Sequence, residues 1–463
     1  MRGTQRTIRL ECVREHEETP ASRRAAEVRL RFGLPSFAAR GALAEPIRVL
    51  EPVSIHVGPG RIVAFVGPSG SGKSSALNAV ETILPGGCAV DRIGFPADRP
   101  VVDAVASHAG LADALGTLSA CGLSEAPLWL RRFDALSEGE RFRARLARAL
   151  DLHSRGQSPA PLLCDEFCSN LHRRSAKAVA WNLRKLVTRR GLCVVVAFSN
   201  EDLLPDLQPD TLVRLLGRGR HETVEGHPRR RQVSLFPGLR IGPGVKADFE
   251  SFADMHYRGV GRLGFVDKVF VLREGRGGAA LGVVVYAFAP LGLALRNQAT
   301  VGRFRNRPDR LNREVRILRR LVIHPDVRGC GLGHWLVRQT LPQVGTRYVE
   351  CLASMGSVNP VFERAGMTPV GVCPLPTHVQ RALRSLADLD VDALARDFVT
   401  QVCRRPQVRA VVARTVLRWY EATTGCGRRR AAGQSPACLA RTFQALIGSR
   451  PVYYLWDREE AAA

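Results

Sequence analysis

The sequence predicts an α/β protein with two α/β domains, and three observations lead to this prediction. An apolar run at 62–66 is followed by a glycine-rich turn and then by a helical pattern at 74–83. The same order of strand, glycine turn and helix recurs at 316–336. The chain has 463 residues, more than a single hydrophobic core usually holds.

The charge balance is strongly basic. The chain carries 68 lysine and arginine residues against 43 aspartate and glutamate residues, for a formal net charge of +25. Such a field attracts polyanions, so we expect contact with DNA or RNA. The alternative is an arginine-rich composition inherited from a GC-rich genome. The densest basic stretch, 296–320, has Phe304 as its one aromatic residue, which suits phosphate contact better than base stacking.

Cysteine usage and hydropathy indicate the compartment. The 12 cysteines include no C-x-x-C pair, so we expect reduced thiols and neither a disulfide framework nor a zinc site. The first residues form no apolar leader, and no stretch approaches the 18 apolar residues of a membrane span. These features predict a cytoplasmic protein without a membrane partner.

The first glycine turn follows two predicted antiparallel strands at 26–32 and 47–57. It matches the G-x-x-x-x-G-K-[ST] pattern between a strand and a helix, where backbone N–H groups close around phosphate oxygens. Lys73 is placed to reach the β- and γ-phosphates of a nucleotide, and Ser74 to bind Mg²⁺. A glycine- and serine-rich turn without a ligand is the alternative. The predicted phosphate-binding residues are Gly67, Pro68, Ser69, Gly70, Ser71, Gly72, Lys73, Ser74 and Ser75.

Two carboxylates at a later strand end are typical of a nucleotide-hydrolysing site. A long helical region is predicted at 101–132, and Ser137 then caps a helix with Glu140 in the capping-box position. The apolar strand at 161–164 ends in Asp165 and Glu166. Asp165 is placed to bind Mg²⁺ through water, and Glu166 to polarise an attacking water molecule.

The order of these elements, ending in the turn Ser169–His172, resembles that of the ATP-binding cassette (ABC) ATPases. The resemblance implies ATP as the nucleotide and a head-to-tail homodimer that closes on two ATP molecules and opens on hydrolysis. It also implies that a short segment of one copy contacts the ATP of the other copy. The residues of this segment are Ser137, Glu138, Gly139 and Glu140.

Three departures from the family pattern bear on ATP turnover. The family usually has a glutamine where this sequence has 93–96 without one. Ser199 replaces the usual histidine, with Asn200 beside it, and either side chain is a candidate to hydrogen-bond the γ-phosphate instead. His172 ends the turn after the carboxylates in place of aspartate. We therefore expect slow hydrolysis, with Glu166 kept as the base.

The second glycine turn lies between a predicted strand ending at Pro325 and a helix beginning near Gly333. Its Arg-x-x-Gly-x-Gly spacing resembles motif A of the GNAT acetyltransferases, which implies that it binds the pyrophosphate of acetyl-CoA. An unrelated α/β domain with a chance glycine turn is the alternative. The residues implied to bind acetyl-CoA are Val322, Ile323, Arg328, Gly329, Cys330, Gly331, Leu332, Gly333 and Asn359.

Catalytic groups for acyl transfer are harder to assign. Phe362 stands where the GNAT family usually has a tyrosine that acts as the general acid. Glu314 is a candidate base, with a surface charge among arginines as the alternative. His256 and Tyr257 form the other candidate pair, which a packed helix face would explain equally well. The chain resembles fusions of ABC-type ATPases with GNAT-like domains, and the second half distantly resembles Mom-type DNA adenine modification proteins, which also carry His-Tyr early in the domain.

The predicted domains are an ABC-type ATPase at 1–225, a linker at 226–245 and a GNAT-like domain at 246–375. A helical insertion follows at 376–448, with helices at 379–389 and 391–402. The strand at 452–456, within 449–463, is predicted to complete the GNAT sheet and to be followed by a frayed tail. An independent helical tail is the alternative for the helical block.

Three functions fit these features. The first is an ABC ATPase coupled to acyl transfer from acetyl-CoA to an amine, on nucleic acid or on an associated protein. The second is an ATP-driven binding switch whose GNAT-like half senses acyl-CoA without catalysis, which Phe362 favours. The third is the ATPase subunit of a transporter.

Overall fold

The computed structural model describes residues 5–14, 22–33, 47–156, 160–255, 263–424, 433–448 and 450–462. The chain divides into two compact units. Unit 1 comprises Met1–Arg262, Val269–Val284 and Leu321–Leu336, and unit 2 comprises Leu263–Lys268, Val285–Arg320 and Val337–Ala463. Because these units alternate along the chain, the domain boundaries stay a prediction. No helix in the described ranges has the length and apolarity that a membrane span requires.

The strands that precede residue 226 in the described ranges are β1 (Arg6–Arg14), β2 (Ile47–Val57), β3 (Arg61–Val66), β4 (Cys88–Ala89), β5 (Leu162–Cys164), β6 (Cys193–Phe198), β7 (Thr211–Gly217) and β8 (Arg220–Glu225). β1 and β2 pair antiparallel. The others form a sheet in the order β4–β5–β6–β3–β7–β8. Its neighbours from β4 to β7 are parallel, and β8 runs antiparallel to β7.

The helices of the same region are α1 (Arg23–Phe32), α2 (Lys73–Ile83), α3 (Val101–Ala104), α4 (Leu111–Ala120), α5 (Ala126–Trp129), α6 (Glu138–Gly156), α7 (Arg173–Arg190) and α8 (Leu204–Leu207). One buried cluster joins the antiparallel pair, the sheet and α2, and includes Leu10, Leu50, Phe65, Val80 and Val195. β3 has apolar residues on both faces because elements pack on both of its sides, as is usual for a central parallel strand.

The strands after residue 226 in the described ranges are β9 (Leu239–Gly244), β10 (Val266–Glu274), β11 (Ala280–Phe288), β12 (Val315–Ile323), β13 (Tyr348–Ala353), β14 (Thr368–Val372) and β15 (Val452–Asp457). They form a sheet in the order β14–β15–β13–β12–β11–β10–β9. β12 and β13 are parallel, whereas β15 pairs antiparallel with both β13 and β14. The strand predicted at 452–456 is therefore confirmed, and it belongs to the sheet.

The helices of this region are α9 (Lys246–Glu250), α10 (Ala294–Ala299), α11 (Pro308–Glu314), α12 (Leu332–Thr340), α13 (Val361–Arg364), α14 (Thr377–Ala387), α15 (Phe398–Arg404), α16 (Pro406–Thr424), α17 (Pro436–Gly448) and α18 (Arg458–Ala462). α14 to α17 share a core of their own that includes Leu386, Phe398, Val412 and Phe443. The predicted helical block between the last two strands is thus a packed bundle.

Residues 26–32, predicted as a strand, lie in helix α1, so that prediction is wrong. The Ser22 hydroxyl accepts a hydrogen bond from the backbone N–H of Ala25, and Gly33 ends the helix at φ 62°. These two caps outweigh the alternation of apolar and polar residues that suggested a strand. β2 pairs instead with β1, a strand that the sequence pattern did not reveal.

Other differences also arise from local backbone signals. The helical region predicted at 101–132 is three short helices, because Gly110 precedes α4 and Gly122 follows it at φ 86°. The predicted linker contains β9, which tolerates Pro243 because it is an edge strand. The predicted helix at 391–402 begins only at Phe398. Arg458–Ala462 form α18, where a frayed tail was expected.

Candidate functional site

Three neighbouring parallel strands bring the first group of predicted site residues together. β5, β6 and β3 are adjacent in the sheet and run in the same direction. The glycine turn follows β3, Asp165 follows β5 and Ser199 follows β6. Val66 pairs with Phe198, and Cys164 pairs with Val196, so these strand ends lie at the same edge. Ligands of open α/β sheets bind at this edge.

The phosphate loop, Gly67–Ser75, has little room for side chains at two of its glycines. A Cβ on Gly67 would lie 2.5 Å from the carbonyl oxygen of Leu215, and one on Gly72 would lie 2.5 Å from a methyl group of Val49. Gly72 also has φ 99° and ends the loop where α2 begins. The loop backbone can therefore turn its N–H groups toward an anion at the start of α2.

Two polar side chains of the loop fit a phosphate ligand. The Lys73 ammonium donates to the carbonyl oxygens of Gly67 and Pro68, at 2.8 Å in each case, so it is held over the loop. The Ser71 hydroxyl is buried and has no hydrogen-bond partner within the described residues. A buried hydroxyl without a partner is costly, and a phosphate oxygen would satisfy it.

The carboxylates lie close enough to Lys73 to act on its charge. Burial lowers the pKa of the Lys73 ammonium, and the negative charges of Asp165 and Glu166 oppose that shift. The Asp165 carboxylate accepts a 2.8 Å hydrogen bond from the backbone N–H of Glu166. Glu166 has φ 46°, a conformation that side-chain-bearing residues seldom adopt and that often marks a functional position.

Ser74 and Asp165 supply oxygen atoms of the kind that Mg²⁺ prefers. Ser74 is exposed and lies in the first turn of α2, and Asp165 is half-buried. Among the described residues, no group of three or more His, Cys, Asp or Glu side chains is placed to hold a metal ion. Magnesium at this site would therefore need phosphate and water oxygens as well, which is its usual way of binding in nucleotide sites.

Residues 137–140 stand at the start of α6 with their polar groups partly exposed. The Glu140 carboxylate accepts a 2.8 Å hydrogen bond from the backbone N–H of Ser137, which is half of the predicted capping box. Glu138 pairs with Arg141 at 2.8 Å. The Ser137 side chain is exposed, so its hydroxyl is accessible to another molecule.

Segment 93–96, which lacks the family's glutamine, stacks on Phe133 and is covered by Arg148 of α6. The rings of Phe95 and Phe133 are parallel, with their centroids 4.4 Å apart. The Arg148 guanidinium covers Phe95 at 5.0 Å from the ring centroid and donates to the carbonyl oxygen of Gly94 at 2.6 Å. Ring stacking and cation–π contact therefore hold this segment.

The second glycine turn, 328–333, forms as predicted between β12 and α12, with φ 82° at Gly329 and 93° at Gly331. Its arginine is committed elsewhere. Arg328 donates to the carbonyl oxygens of Ile323, Ser124 and Met255 at 2.7, 3.2 and 2.9 Å. Burial lowers its pKa, and the charge of Glu125 opposes this. The side chains of Val322, Ile323, Cys330 and Leu332 are buried, whereas Gly333 is half-buried.

The candidate acyl-transfer residues of unit 2 are not arranged as a base and an acid. Glu314 forms ion pairs with Arg303 at 2.8 Å and with Arg310 at 2.9 Å. Burial raises its pKa, but the hydrogen bonds and charges of these arginines outweigh burial and leave the pKa lowered. Asn359 is exposed. His256 and Tyr257 lie outside the described residues.

Phe362 packs against a tyrosine that the sequence argument did not consider. The rings of Phe362 and Tyr454 have centroids 5.5 Å apart. The Tyr454 hydroxyl donates to the Glu363 carboxylate at 2.9 Å, and burial raises the pKa of the Tyr454 hydroxyl well above its usual range. Tyr454 lies in β15, ninety-two positions after Phe362 in the chain, so only the tertiary structure reveals this neighbour.

Asp326 is a second polar residue that the sequence argument passed over. It lies just before the second glycine turn and accepts a 2.7 Å hydrogen bond from the Ser175 hydroxyl of α7. Its other oxygen lies 3.5 Å from Nδ1 of His172. One feature of the sequence could have drawn attention to this contact: His172 stands where the family usually has an aspartate.

No protein-family model matches the chain. The lipoprotein-releasing system ATP-binding protein LolD of Novosphingobium aromaticivorans is 32% identical over 237 residues, covering 41% of this chain and 95% of that protein. LolD 1 of Rhodospirillum rubrum is 32% identical over 196 residues, covering 34% of this chain and 84% of that protein. A dimeric bacterial ABC transporter cassette of known structure has 21% identity and a TM-score of 0.32, and the match covers 40% of this chain and 94% of that one.

Proposed function

The chain belongs, over about 41% of its length, to the ABC ATPases, and on this premise we propose that it is an ATP-driven switch. In this proposal two copies close head to tail on two ATP molecules and separate after hydrolysis. Each phosphate loop is completed by residues 137–140 of the other copy. The observation that carries the proposal is the meeting of the phosphate loop with Asp165 and Glu166 at one sheet edge, where both carboxylates act on Lys73.

Each residue of the site has a distinct part in this mechanism. Lys73 and the loop N–H groups bind the β- and γ-phosphates, with the Ser71 hydroxyl as a further donor. Ser74 and Asp165 would hold Mg²⁺, which would neutralise charge on the phosphate oxygens. Glu166 accepts the proton of the attacking water. Ser199, exposed at the end of β6, supplies a hydroxyl where an imidazole is usual, so proton handling is weaker and turnover slow.

The head-to-tail arrangement can be tested by mixing two inactive variants. Lys73→Ala removes the phosphate contact of its own site, and Ser137→Ala should inactivate the site of the other copy. A mixed dimer has one intact site, so mixing should restore roughly a quarter of wild-type ATP hydrolysis, since about half of the dimers are mixed. Each variant alone should stay near background while keeping its circular dichroism spectrum. If the mixture is no more active than its components, the sites are not shared.

A trapped dimer would support the same proposal. Glu166→Gln keeps the shape of the side chain but removes the base, so ATP should hold the two copies together. We expect a dimer in analytical ultracentrifugation with ATP and Mg²⁺, and a monomer without ATP. Lys73→Ala combined with Glu166→Gln should stay monomeric and serves as the control.

For the second half of the chain we propose that it senses acyl-CoA by binding it. The alternative is acyl transfer, which adds catalysis to the same binding. The β12–turn–α12 unit and the insertion of β15 into the sheet support a GNAT-like interpretation. Two features favour sensing over catalysis: the ion pairs of Glu314 and the absence of a hydroxyl on Phe362. Incubation with radiolabelled acetyl-CoA and DNA, RNA or protein separates the two. A labelled acceptor would establish transfer, whereas binding without labelling would support sensing.

The ATPase subunit of a transporter is the third candidate. It is favoured by the names of the relatives, which include the lipoprotein-releasing ATP-binding proteins and a phosphonates import ATP-binding protein of Rhodopseudomonas palustris that is 28% identical and of which the match covers 66%. A transport subunit should co-purify with a membrane protein and hydrolyse ATP faster in its presence. Full ATPase activity without any membrane fraction would count against it.

A further inference from the structure

The turn Ser169–His172, which we name the D-loop, lies between the catalytic carboxylates and helix α7. Ser169 donates from its hydroxyl to the Glu166 carboxylate at 3.5 Å and from its backbone N–H to the Glu166 carbonyl oxygen at 3.0 Å. Cys168, just before it, has φ 60°. The position of Glu166 is thus tied to the path of the D-loop.

The D-loop also touches the segment that is proposed to serve the other copy. A Cβ on Gly139 would lie 3.1 Å from the carbonyl oxygen of Asn170 and 3.2 Å from a methyl group of Leu171. The start of α6 and the D-loop are therefore packed closely together. A shift of the D-loop would therefore disturb both Glu166 and residues 137–140.

Helix α7 begins at the end of the D-loop with an unusual distribution of charge. Its N-cap residue, His172, makes no side-chain capping hydrogen bond, and its first turn contains no acidic residue. Instead the helix opens with Arg173 and Arg174, which oppose the positive end of the helix dipole. The local sequence therefore leaves this helix terminus without the negative charge that would stabilise it.

Carboxylates from distant parts of unit 1 supply that charge. Arg173 pairs with Asp202, and Arg174 pairs with Glu274 at 2.5 Å. Asp326 accepts the 2.7 Å hydrogen bond from Ser175, in the first turn of α7, and lies 3.5 Å from the His172 ring. Asp326 thus brings negative charge from a remote segment to the start of α7, and it contacts both the D-loop and α7.

The segment that carries Asp326 is itself firmly held within unit 1. Arg328 makes its three hydrogen bonds to backbone carbonyl oxygens two residues later. A Cβ on Gly329 would lie 2.6 Å from the side-chain nitrogen of Asn182, which belongs to α7. Lys185, also in α7, donates to the carbonyl oxygen of Gly329 at 3.4 Å. Residues 326–329 therefore form a fixed support along one helix.

We propose that Asp326 is a positioning residue for ATP hydrolysis, holding the D-loop so that Glu166 is in place. The proposal rests on the proposed ATPase function and adds to it a residue from outside the nucleotide motifs.

The test compares three variants of the full-length protein. Asp326→Asn keeps an acceptor for Ser175 but loses the charge, and Asp326→Ala loses both. We expect the kcat for ATP hydrolysis to fall roughly tenfold in Asp326→Asn and further in Asp326→Ala. KM for ATP should change less than about twofold, because the phosphate loop is untouched. Asp309→Asn changes an exposed carboxylate of α11 and should match wild type.

Hydrogen exchange provides a readout that does not depend on turnover. In Asp326→Asn the amides of 169–176 should exchange faster, whereas those of α2 should not. The proposal would be overturned if kcat were unchanged in both Asp326 variants, or if only the KM for ATP changed. If wild type binds ATP without hydrolysing it, the proposed function fails, and the exchange experiment still decides whether Asp326 holds the D-loop.

Discussion

Two arginines control the charge of Glu314. Its carboxylate is paired with Arg303 and Arg310, and their hydrogen bonds and charges outweigh burial and lower its pKa. A base that removes a proton from an amine needs a pKa near the working pH, and this environment moves Glu314 in the opposite direction. The local sequence placed Glu314 among arginines, but the two side chains that hold it became clear only from the fold.

The ion pairs of Glu314 predict a defined pH dependence of stability. Because the folded-state pKa lies below the ordinary value of 4.5, the contribution is fully present above about pH 4.5 and is lost as the pH falls through the folded-state pKa. Glu314→Gln should therefore lower the Tm at pH 7, and this difference should shrink below about pH 4.5. Asp309→Asn, an exposed carboxylate of the same helix, should show no such difference. A deficit equally large in acid would point to packing.

At the scale of the element, helix α7 shows how a terminus can be stabilised from a distance. Its first turn has no local acidic residue, and Asp326, Asp202 and Glu274 provide the compensating charges. Helix α1 is the opposite case, since Ser22 and Gly33 cap it from within the local sequence. A helix with local caps can be predicted once the caps are recognised, whereas the partners of α7 depend on tertiary contacts.

The bundle α14–α17 allows a direct test at this scale. Phe443 is fully buried and packs near Phe398, with their ring centroids 6.0 Å apart. Phe443→Ala should destabilise the bundle by about 3 kcal/mol through lost burial and a cavity. Phe265→Ala makes the same change at a side chain that is 85% exposed and should cost little. Chemical denaturation followed by circular dichroism measures both, and equal midpoints would refute a separate bundle core.

At the scale of the whole molecule, the net charge of +25 is the dominant property. Arg305, Arg307 and Arg313 are exposed in or near α11, whereas Arg303 and Arg310 are paired with Glu314. The exposed arginines are therefore better candidates for phosphate contact than the paired ones. They are the residues of the basic stretch on which the expectation of DNA or RNA binding rests.

Salt dependence tests that expectation. The affinity for DNA or RNA should fall steeply as the salt concentration is raised. The slope of log K against log salt concentration should become shallower by roughly 0.9 for each phosphate contact that is removed. Changing Arg305, Arg307 and Arg313 together to glutamine should weaken binding and flatten the slope. The same change at the exposed Arg218, Arg220 and Arg276 keeps the net charge matched and should have a smaller effect. Equal effects of the two triple variants would indicate general charge and no defined surface.

The sequence predicted the nucleotide half well because its chemistry is encoded in short contiguous stretches. The phosphate loop, the capped helix at 138 and the strand ends at Asp165 and Ser199 need only local backbone signals to form. The prediction failed where a periodic pattern was followed and local caps and glycines were overlooked: residues 26–32 formed a helix, and 101–132 broke into three. In the second half the strand–turn–helix unit was predictable, but the hydrogen bonds of its arginine were not.

By itself the sequence determined a phosphate loop with two carboxylates beyond a nearby strand, and a second glycine turn with an arginine before it. Local propensity and glycine conformations are enough for both. Only the tertiary structure decided what surrounds them: two carboxylates act on Lys73, three carbonyl oxygens hold Arg328, and Asp326 accepts a hydrogen bond from Ser175 of α7. The reason is physical, because hydrogen bonds and charges act through space between groups that are far apart in the chain.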